Sequence, residues 1–315
     1  MYTLTKILSL VFSFFVILFH PFYANAAVLF QSNAESGTCD TAVATSVWDY
    51  TESGDGSNSR AWYRCATPVT SVGHSKYFQI NGVDGQHDAW NQHDVSITLT
   101  PGTEYFLGWF HRIDRIGGID FYHDGDGEPN SYDKSLAIRG SGLRWMIATG
   151  FPDWATCSGG ACNGHYSFGI YQGDSCSGCI YEQVEPNYSP YSRSNMFLAD
   201  YERWYAVVIG ITPNSSGSTN GRLRMWINGI QTHYYPNIKT QDSTSPAVSA
   251  FEFFGTWAQP AYDAKAHYRK IDQITLTNSL ADITAAGLMS DPAGTGGTTA
   301  PTAATGLTIS GGILK

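Results

Sequence analysis

Arg222-Leu223-Arg224-Met225-Trp226-Ile227-Asn228-Gly229 is an alternating strand that runs into a turn. Asn-Gly tolerates the positive φ that tight hairpin turns demand, so the segment reads as one arm of a β-hairpin. Downstream, Ala250-Phe251-Glu252-Phe253-Phe254-Gly255-Thr256-Trp257 and His267-Tyr268-Arg269-Lys270-Ile271-Asp272-Gln273-Ile274-Thr275-Leu276 repeat the strand pattern on either side of a loop. Working outward, strand signals recur at 46–50, 60–64, 77–80, 95–99, 105–114, 135–138, 143–148, 166–171 and 204–211. Turn signals such as Pro101-Gly102 and Gly140-Ser141-Gly142 punctuate them. The helical signal is a short Ala-rich stretch over 279–288. Many close-set strands joined by Gly-rich turns predict an all-β protein, a two-sheet antiparallel jelly-roll sandwich. No linker interrupts residues 27–289, so they are read as a single domain.

The ends read differently. Residues 1–26 have the form of a secretory signal peptide: Lys6 in the n-region, an apolar run over 7–19, and the small-x-small triplet Ala24-Asn25-Ala26. The apolar run is short of the ~20 residues of a spanning helix, so no membrane span is expected. Residues 290–315 begin as a Gly, Thr, Ala and Pro tract, which reads as a flexible tail. Cleavage after Ala26 would leave 17 basic against 27 acidic residues, a net charge of −10. Phosphate binding needs clustered Lys and Arg, so nucleic acid is excluded as a partner. Aromatic residues equal charged ones at 14% each, with 19 tyrosines; this is the composition of an exported all-β protein with stacking surfaces. The expected location is secreted: extracellular, cell surface or periplasm.

Six cysteines, an even number, argue for disulfides in an exported chain. The expected pairing is Cys39–Cys65, with two further bridges among Cys157, Cys162, Cys176 and Cys179. The rival for those four is a zinc site, which an oxidising compartment disfavours.

The run from Trp204 through Gly221, Trp226-Ile-Asn-Gly and Phe254-Gly255 to Ile271-Asp272-Gln-Ile resembles the second half of a concanavalin A-like β-sandwich. That superfamily holds lectins, laminin-G-like modules, glucanases and polysaccharide lyases. The resemblance covers most of residues 45–280 and implies an extracellular polysaccharide as partner. In its lyases a base removes the proton beside a uronate carboxylate, an acid protonates the leaving oxygen, and a cation neutralises the carboxylate. By resemblance the catalytic candidates are His111 on the Trp109-Phe110-His111 strand, Tyr171 on Tyr166-Ser-Phe-Gly-Ile-Tyr171-Gln172, and Arg60 with Arg64. The chain departs from alginate lyases in having Trp109 where they carry Gln, and in having no tyrosine on the strand ending at Trp257. The alternative for His111 and Tyr171 is a purely structural place in the sheet. A glucanase pair needs two acids on one strand face, and Glu182 with Glu185 in a Cys-rich loop does not supply it.

Candidate sugar-binding residues are Trp257, Tyr262, Trp109, Lys134 and Arg112, with Trp145, Trp154, Tyr122 and Tyr188 as further stacking platforms; core packing is the alternative for each aromatic. Asp124, Asp126 and Glu128 in His123-Asp-Gly-Asp-Gly-Glu128 alternate on a Gly turn and could hold calcium; the alternative is an exposed acidic turn. No cofactor is required by either reading. Alternation puts Tyr105, Leu107, Trp109, His111 and Ile113 on one face of their strand, and Phe251, Phe253, Gly255 and Trp257 on one face of theirs. The function expected is a secreted carbohydrate-binding or carbohydrate-processing protein. The alternatives are a polysaccharide lyase acting by β-elimination on a uronate-containing glycan, and a cell-surface structural subunit or adhesin engaging a neighbour through its tail.

Overall fold

Asn228 and Gly229 both stand at positive φ, 51° and 78°. Their turn joins β12 (Gly221–Ile227) to β13 (Ile230–Ile238), a geometry whose twist matches that of the strands it connects. The computed structural model describes residues 27–44, 47–52, 61–81, 88–114, 132–141, 143–150, 165–172, 197–257 and 268–293. Ahead of this hairpin lie β1 (Val28–Ser32), β2 (Asp49–Glu52), β3 (Ala61–Arg64), β4 (Tyr77–Asn81), β5 (Asp88–Thr98) and β6 (Tyr105–Asp114). They are followed by β7 (Tyr132–Ser141), β8 (Leu143–Gly150), β9 (His165–Gln172), β10 (Ala199–Asp200) and β11 (Tyr205–Thr212). After the hairpin come β14 (Ala247–Trp257), β15 (Tyr268–Thr277) and the helix α1 (Leu280–Ala285). Ser279 caps that helix by accepting a hydrogen bond from the Asp282 backbone N–H.

Two sheets result, with every pairing antiparallel. One runs β13-β12-β11-β6-β15-β4-β3, with β1 also on β15; the other runs β10-β9-β8-β7-β14-β5-β2. This is the two-sheet sandwich that the strand spacing predicts. The core between the sheets takes Leu107, Trp109 and Ile113 from β6, Ile271, Ile274 and Leu276 from β15, Phe168 and Ile170 from β9, and Phe251 and Phe253 from β14. The Tyr105-to-Ile113 set therefore faces inward. Trp145, also in this core, donates its indole N–H to the Thr240 carbonyl at 3.0 Å. The outer face of the eight-stranded sheet carries a second apolar cluster. Phe106, Phe110, Val208 and Trp226 pack there beneath Ile283 and Leu288, the first from α1 and the second just beyond it.

The strand β15 changes partner halfway along one edge. Residues up to Ile271 pair with β4, and Ile274 onward pairs with β1. Between them Gln273 takes a left-handed φ of 51°, and the register against β6 slips between Asp272 and Thr275. Two other pairs of segments meet as expected. Cys39 and Cys65 form a disulfide with Cα atoms 5.8 Å apart. The β7–β8 hairpin closes with Gly140 opposite Leu143. Cys157, Cys162, Cys176 and Cys179, residues 1–26 with the expected signal pattern, and residues 294–315 lie outside the described residues. Among the described residues no helix is long and apolar enough to cross a membrane.

Candidate functional site

Directly opposed residues of antiparallel strands share a face. One register row crosses the seven-stranded sheet through positions Asp49, Gln92, Glu252, Ala137, Met146 and Tyr171. Phe251 and Phe253 flank Glu252 in sequence and fill the core, so this row belongs to the face turned away from it. The next row runs Asp94, Ala250, Arg139, Arg144. Where the rows meet, the Arg139 guanidinium Nε lies 2.6 Å from Glu252 Oε1. Glu252 is only 1% exposed, whereas the Arg139 side chain is 40% exposed. An inaccessible carboxylate is costly without a partner; here the partner is a guanidinium that still faces solvent. On the same face Gln92 donates to Asp94 Oδ1 at 2.5 Å. At the far edge His165 Nδ1 sits 2.8 Å from Asp200. A planar guanidinium held by a fixed carboxylate is suited to hydroxyl and carboxylate groups of a polar chain.

The sequence-derived candidates are scattered by the fold. His111 is fully buried inside the sandwich, its ring centroid 5.4 Å from that of Phe168 and 6.3 Å from that of Tyr166. Burial first, and then the charge of Arg269, depresses its pKa to about 3. Trp109 is equally inaccessible. These two residues face the core, because alternation along β6 commits them to the same side as Leu107 and Ile113; neither reaches a polymer. Arg112 points the other way, to the outer face of the eight-stranded sheet, with Nε 2.5 Å from Asp114 Oδ1. Lys270 lies 2.5 Å from the other carboxylate oxygen of Asp114. Arg64, at the β3 edge of that sheet, pairs with Asp40 at 2.7 Å and lies over the Trp62 ring. The structure therefore does not bring His111, Arg64 and position 171 together: one is in the core and the others are on different sheets.

Positions 171 and 257 do share a face. Strict alternation assigns Trp257 to the set of Phe251 and Phe253. A bulge between Phe254 and Thr256 corrects this, since Phe254 pairs with Trp90 and Trp257 with Asp88. The extra residue shifts the phase and puts position 257 in the row set of Glu252. Lys134 stands opposite Ala148 beside a second bulge in β7. Arg60, Tyr262, Tyr122, Trp154, Tyr188 and the acidic turn of Asp124, Asp126 and Glu128 lie outside the described residues.

Sequence reasoning passed over Arg139 and Glu252, although a lone acid in Phe-Glu-Phe-Phe was a signal. It also passed over a second group, Glu35, His74 and Asp272. His74 Nδ1 lies 2.5 Å from Asp272 Oδ2. Asp272 Oδ1 accepts from the Gln273 backbone N–H at 2.8 Å and from that of Ala34 at 3.4 Å. Glu35 accepts from the Ser75 backbone N–H at 2.8 Å, the Ser75 hydroxyl at 2.6 Å and the Lys76 backbone N–H at 2.9 Å. Burial pushes the Asp272 carboxyl up, against the pull of His74. The Asp272 hydrogen bond raises the His74 pKa, against burial. Burial also acts upward on Glu35, but its hydrogen bonds from Ser75 and Lys76 bring it below the usual carboxylate value.

No protein-family model and no curated protein sequence matches the chain. Among solved structures it is similar to an alginate lyase at 12% identity and a TM-score of 0.47, over 79% of this chain and 97% of that one. It is similar to the endo-β-1,4-glucuronan lyase of the fungus Trichoderma reesei at 12% identity and a TM-score of 0.46, over 84% of this chain and 99% of that one. The marine PL-14 alginate lyase from Aplysia kurodai matches at 10% identity and a TM-score of 0.48, over 80% and 99%. At these TM-scores no residue role passes from those proteins to this one. The architecture stands on the sheets themselves: two packed antiparallel sheets, an all-β sandwich of the kind expected from the sequence.

Proposed function

We propose that this chain binds or processes an extracellular polysaccharide, and that the polymer lies across the outer face of the seven-stranded sheet at Arg139 and Glu252. The Arg139–Glu252 pair carries the reading. It places a half-exposed guanidinium, braced by an inaccessible carboxylate, at the middle of a sheet face. The other outer face carries the apolar cluster around Phe110, Trp226 and Leu288, and its Arg112 is already paired with Asp114. Two further features support it. The sequence resembles a superfamily that works on glycans, and positions 171 and 257 fall on the same face as Glu252. Secretion rests on the 1–26 signal pattern, and the Cys39–Cys65 disulfide agrees with an oxidising compartment.

The test is a panel of neutral and uronate-containing polysaccharides, read by intrinsic tryptophan fluorescence. Saturable binding is expected, weakened on the order of tenfold by Arg139→Ala, with the circular dichroism spectrum unchanged. Lyase action in the same samples would be read as unsaturated, ultraviolet-absorbing chain ends. Absence of binding across the panel overturns the proposal. So does full binding by Arg139→Ala together with a Glu252→Gln variant.

A further inference from the structure

The junction in β15 is where two chemically loaded loops converge. The chain leaving β1 at Ser32 supplies Glu35, and the chain entering β4 at Tyr77 supplies His74. Both arrive at the point where the β15 ladder is interrupted by the left-handed Gln273. The fold thus collects an imidazole and two carboxylates from three segments, with His74 and Asp272 separated by 198 residues. One ligand atom from each of Glu35, His74 and Asp272 lies within 4.8 Å of the other two. The Asp272 side chain is fully inaccessible and that of His74 is 15% exposed.

We propose that Glu35, His74 and Asp272 hold one divalent transition-metal ion of the zinc class. Two carboxylates face a single imidazole, so the group carries excess negative charge in a partly desolvated place, which a dication offsets. The donor set decides the kind of ion. Calcium takes six to eight oxygen ligands, whereas one nitrogen with two carboxylate oxygens suits zinc and its neighbours. The Glu35 and Asp272 carboxylates are already oriented by backbone N–H donors from Ser75, Lys76, Gln273 and Ala34, the outer-shell support that metal-binding carboxylates need. His74 Nδ1 and Asp272 Oδ2, now 2.5 Å apart, would part to about 3.3 Å and Glu35 would close in, the separation of tetrahedral ligands about 2.0 Å from one ion. Of the three, His74 also lines a cleft of about 530 Å³ between β1, β15 and α1, with Gln31, Gln273, Thr275 and Asp282 as its other polar walls. The ion would tie the N-terminal segment and the His74 loop to the last strand, so its first consequence is stability.

The experiment uses the full secreted chain without an affinity tag, stripped by a chelator and titrated separately with zinc, calcium and magnesium. Zinc should bind one equivalent by calorimetry and raise the melting temperature, with no comparable shift from calcium or magnesium. His74→Asn and Glu35→Gln, both able to keep local hydrogen bonds, should each weaken zinc binding on the order of tenfold or more. Three results overturn the proposal: zinc that neither binds nor stabilises, calcium that stabilises as much as zinc, or both variants binding zinc as the wild type does. None of these bears on the Arg139–Glu252 face, whose glycan assay is run on a different sheet.

Discussion

Replacing His111 with phenylalanine separates a core histidine from a catalytic one. Its ring is enclosed by Phe168 and Tyr166, and neither ring nitrogen has a hydrogen-bond partner among the described residues. Its pKa is pushed down to about 3, by burial first and by Arg269 second, from about 6.5 in the unfolded chain. Between those two values the unfolded state binds the proton and the native state does not, so stability falls as pH falls. At a pH of about 5 the linkage amounts to roughly 2 kcal/mol for this one residue. His233, also depressed to about 3 by burial, adds a similar term in the same direction. His74 works the other way: Asp272 raises its pKa, so its contribution is present at low pH and is lost as pH rises. Comparing variant with wild type cancels both. At neutral pH the change should be small, because relief of an unpartnered imidazole (about 1–3 kcal/mol) opposes the cost of a larger ring (also about 1–3 kcal/mol). At a pH near 5 the variant should gain roughly 2 kcal/mol on the wild type relative to neutral pH. Urea unfolding followed by tryptophan fluorescence at both pH values measures it. A variant-minus-wild-type difference that does not move with pH refutes the argument. Loss of a glycan-cleaving activity in a stably folded His111→Phe protein would refute it from the other side.

Two further outcomes follow from the packing. Gly140 faces the β14 backbone so closely that an added Cβ would meet the Ala247 carbonyl oxygen at 1.6 Å. Gly140→Ala should therefore cost about 1–3 kcal/mol by overpacking, seen as a lower urea midpoint; an unchanged midpoint would mean that β7 and β14 are farther apart. Opening the Cys39–Cys65 bridge, which spans 26 residues, should cost about 3–4 kcal/mol on the chain-entropy account. Melting of a Cys39→Ser, Cys65→Ser protein tests it, and a melting temperature equal to that of the wild type would contradict it.

The strands from Tyr105 to Thr277 were largely legible because alternation and turn residues are local. Asn228-Gly229 is the clearest case: side-chain chemistry alone requires the turn found there. Three strands escaped notice, the two-residue β10 among them. β13 carries Pro236, which removes a ladder donor and fits only because β13 is an edge strand. β1 follows directly on the apolar leader pattern that dominates the sequence before it. The alternation of β6 was readable, but not which of its faces lies inside, since that depends on β9 and β14 packing against it. His111 and Trp109 could not be assigned to the core without that knowledge. The Glu35–His74–Asp272 group was not legible at all, because no spacing rule connects residues brought together by a change of strand partner.

Bulges account for most of what alternation missed. A period of two describes one strand in isolation, whereas a bulge is a mismatch between two strands and has no signature in either one alone. In β14 the extra residue near Gly255 transfers position 257 from the apolar to the polar face. In β15 the slip at Asp272–Gln273 interrupts the ladder, and the Asp272 carboxylate takes the backbone donors of Ala34 and Gln273 that lie beside the gap. The β15 slip keeps core residues on both of its sides, because Ile271 and Ile274 both remain inside. The fold therefore tolerates the β15 irregularity without loss of packing, and it gains the Asp272 carboxylate held at the gap. If the β15 slip were only a packing accident, deleting Gln273 should restore the ladder and stabilise the protein. If it is retained for the side chains it gathers, the deletion should destabilise, because Asp272 loses the Gln273 N–H and the approach of His74.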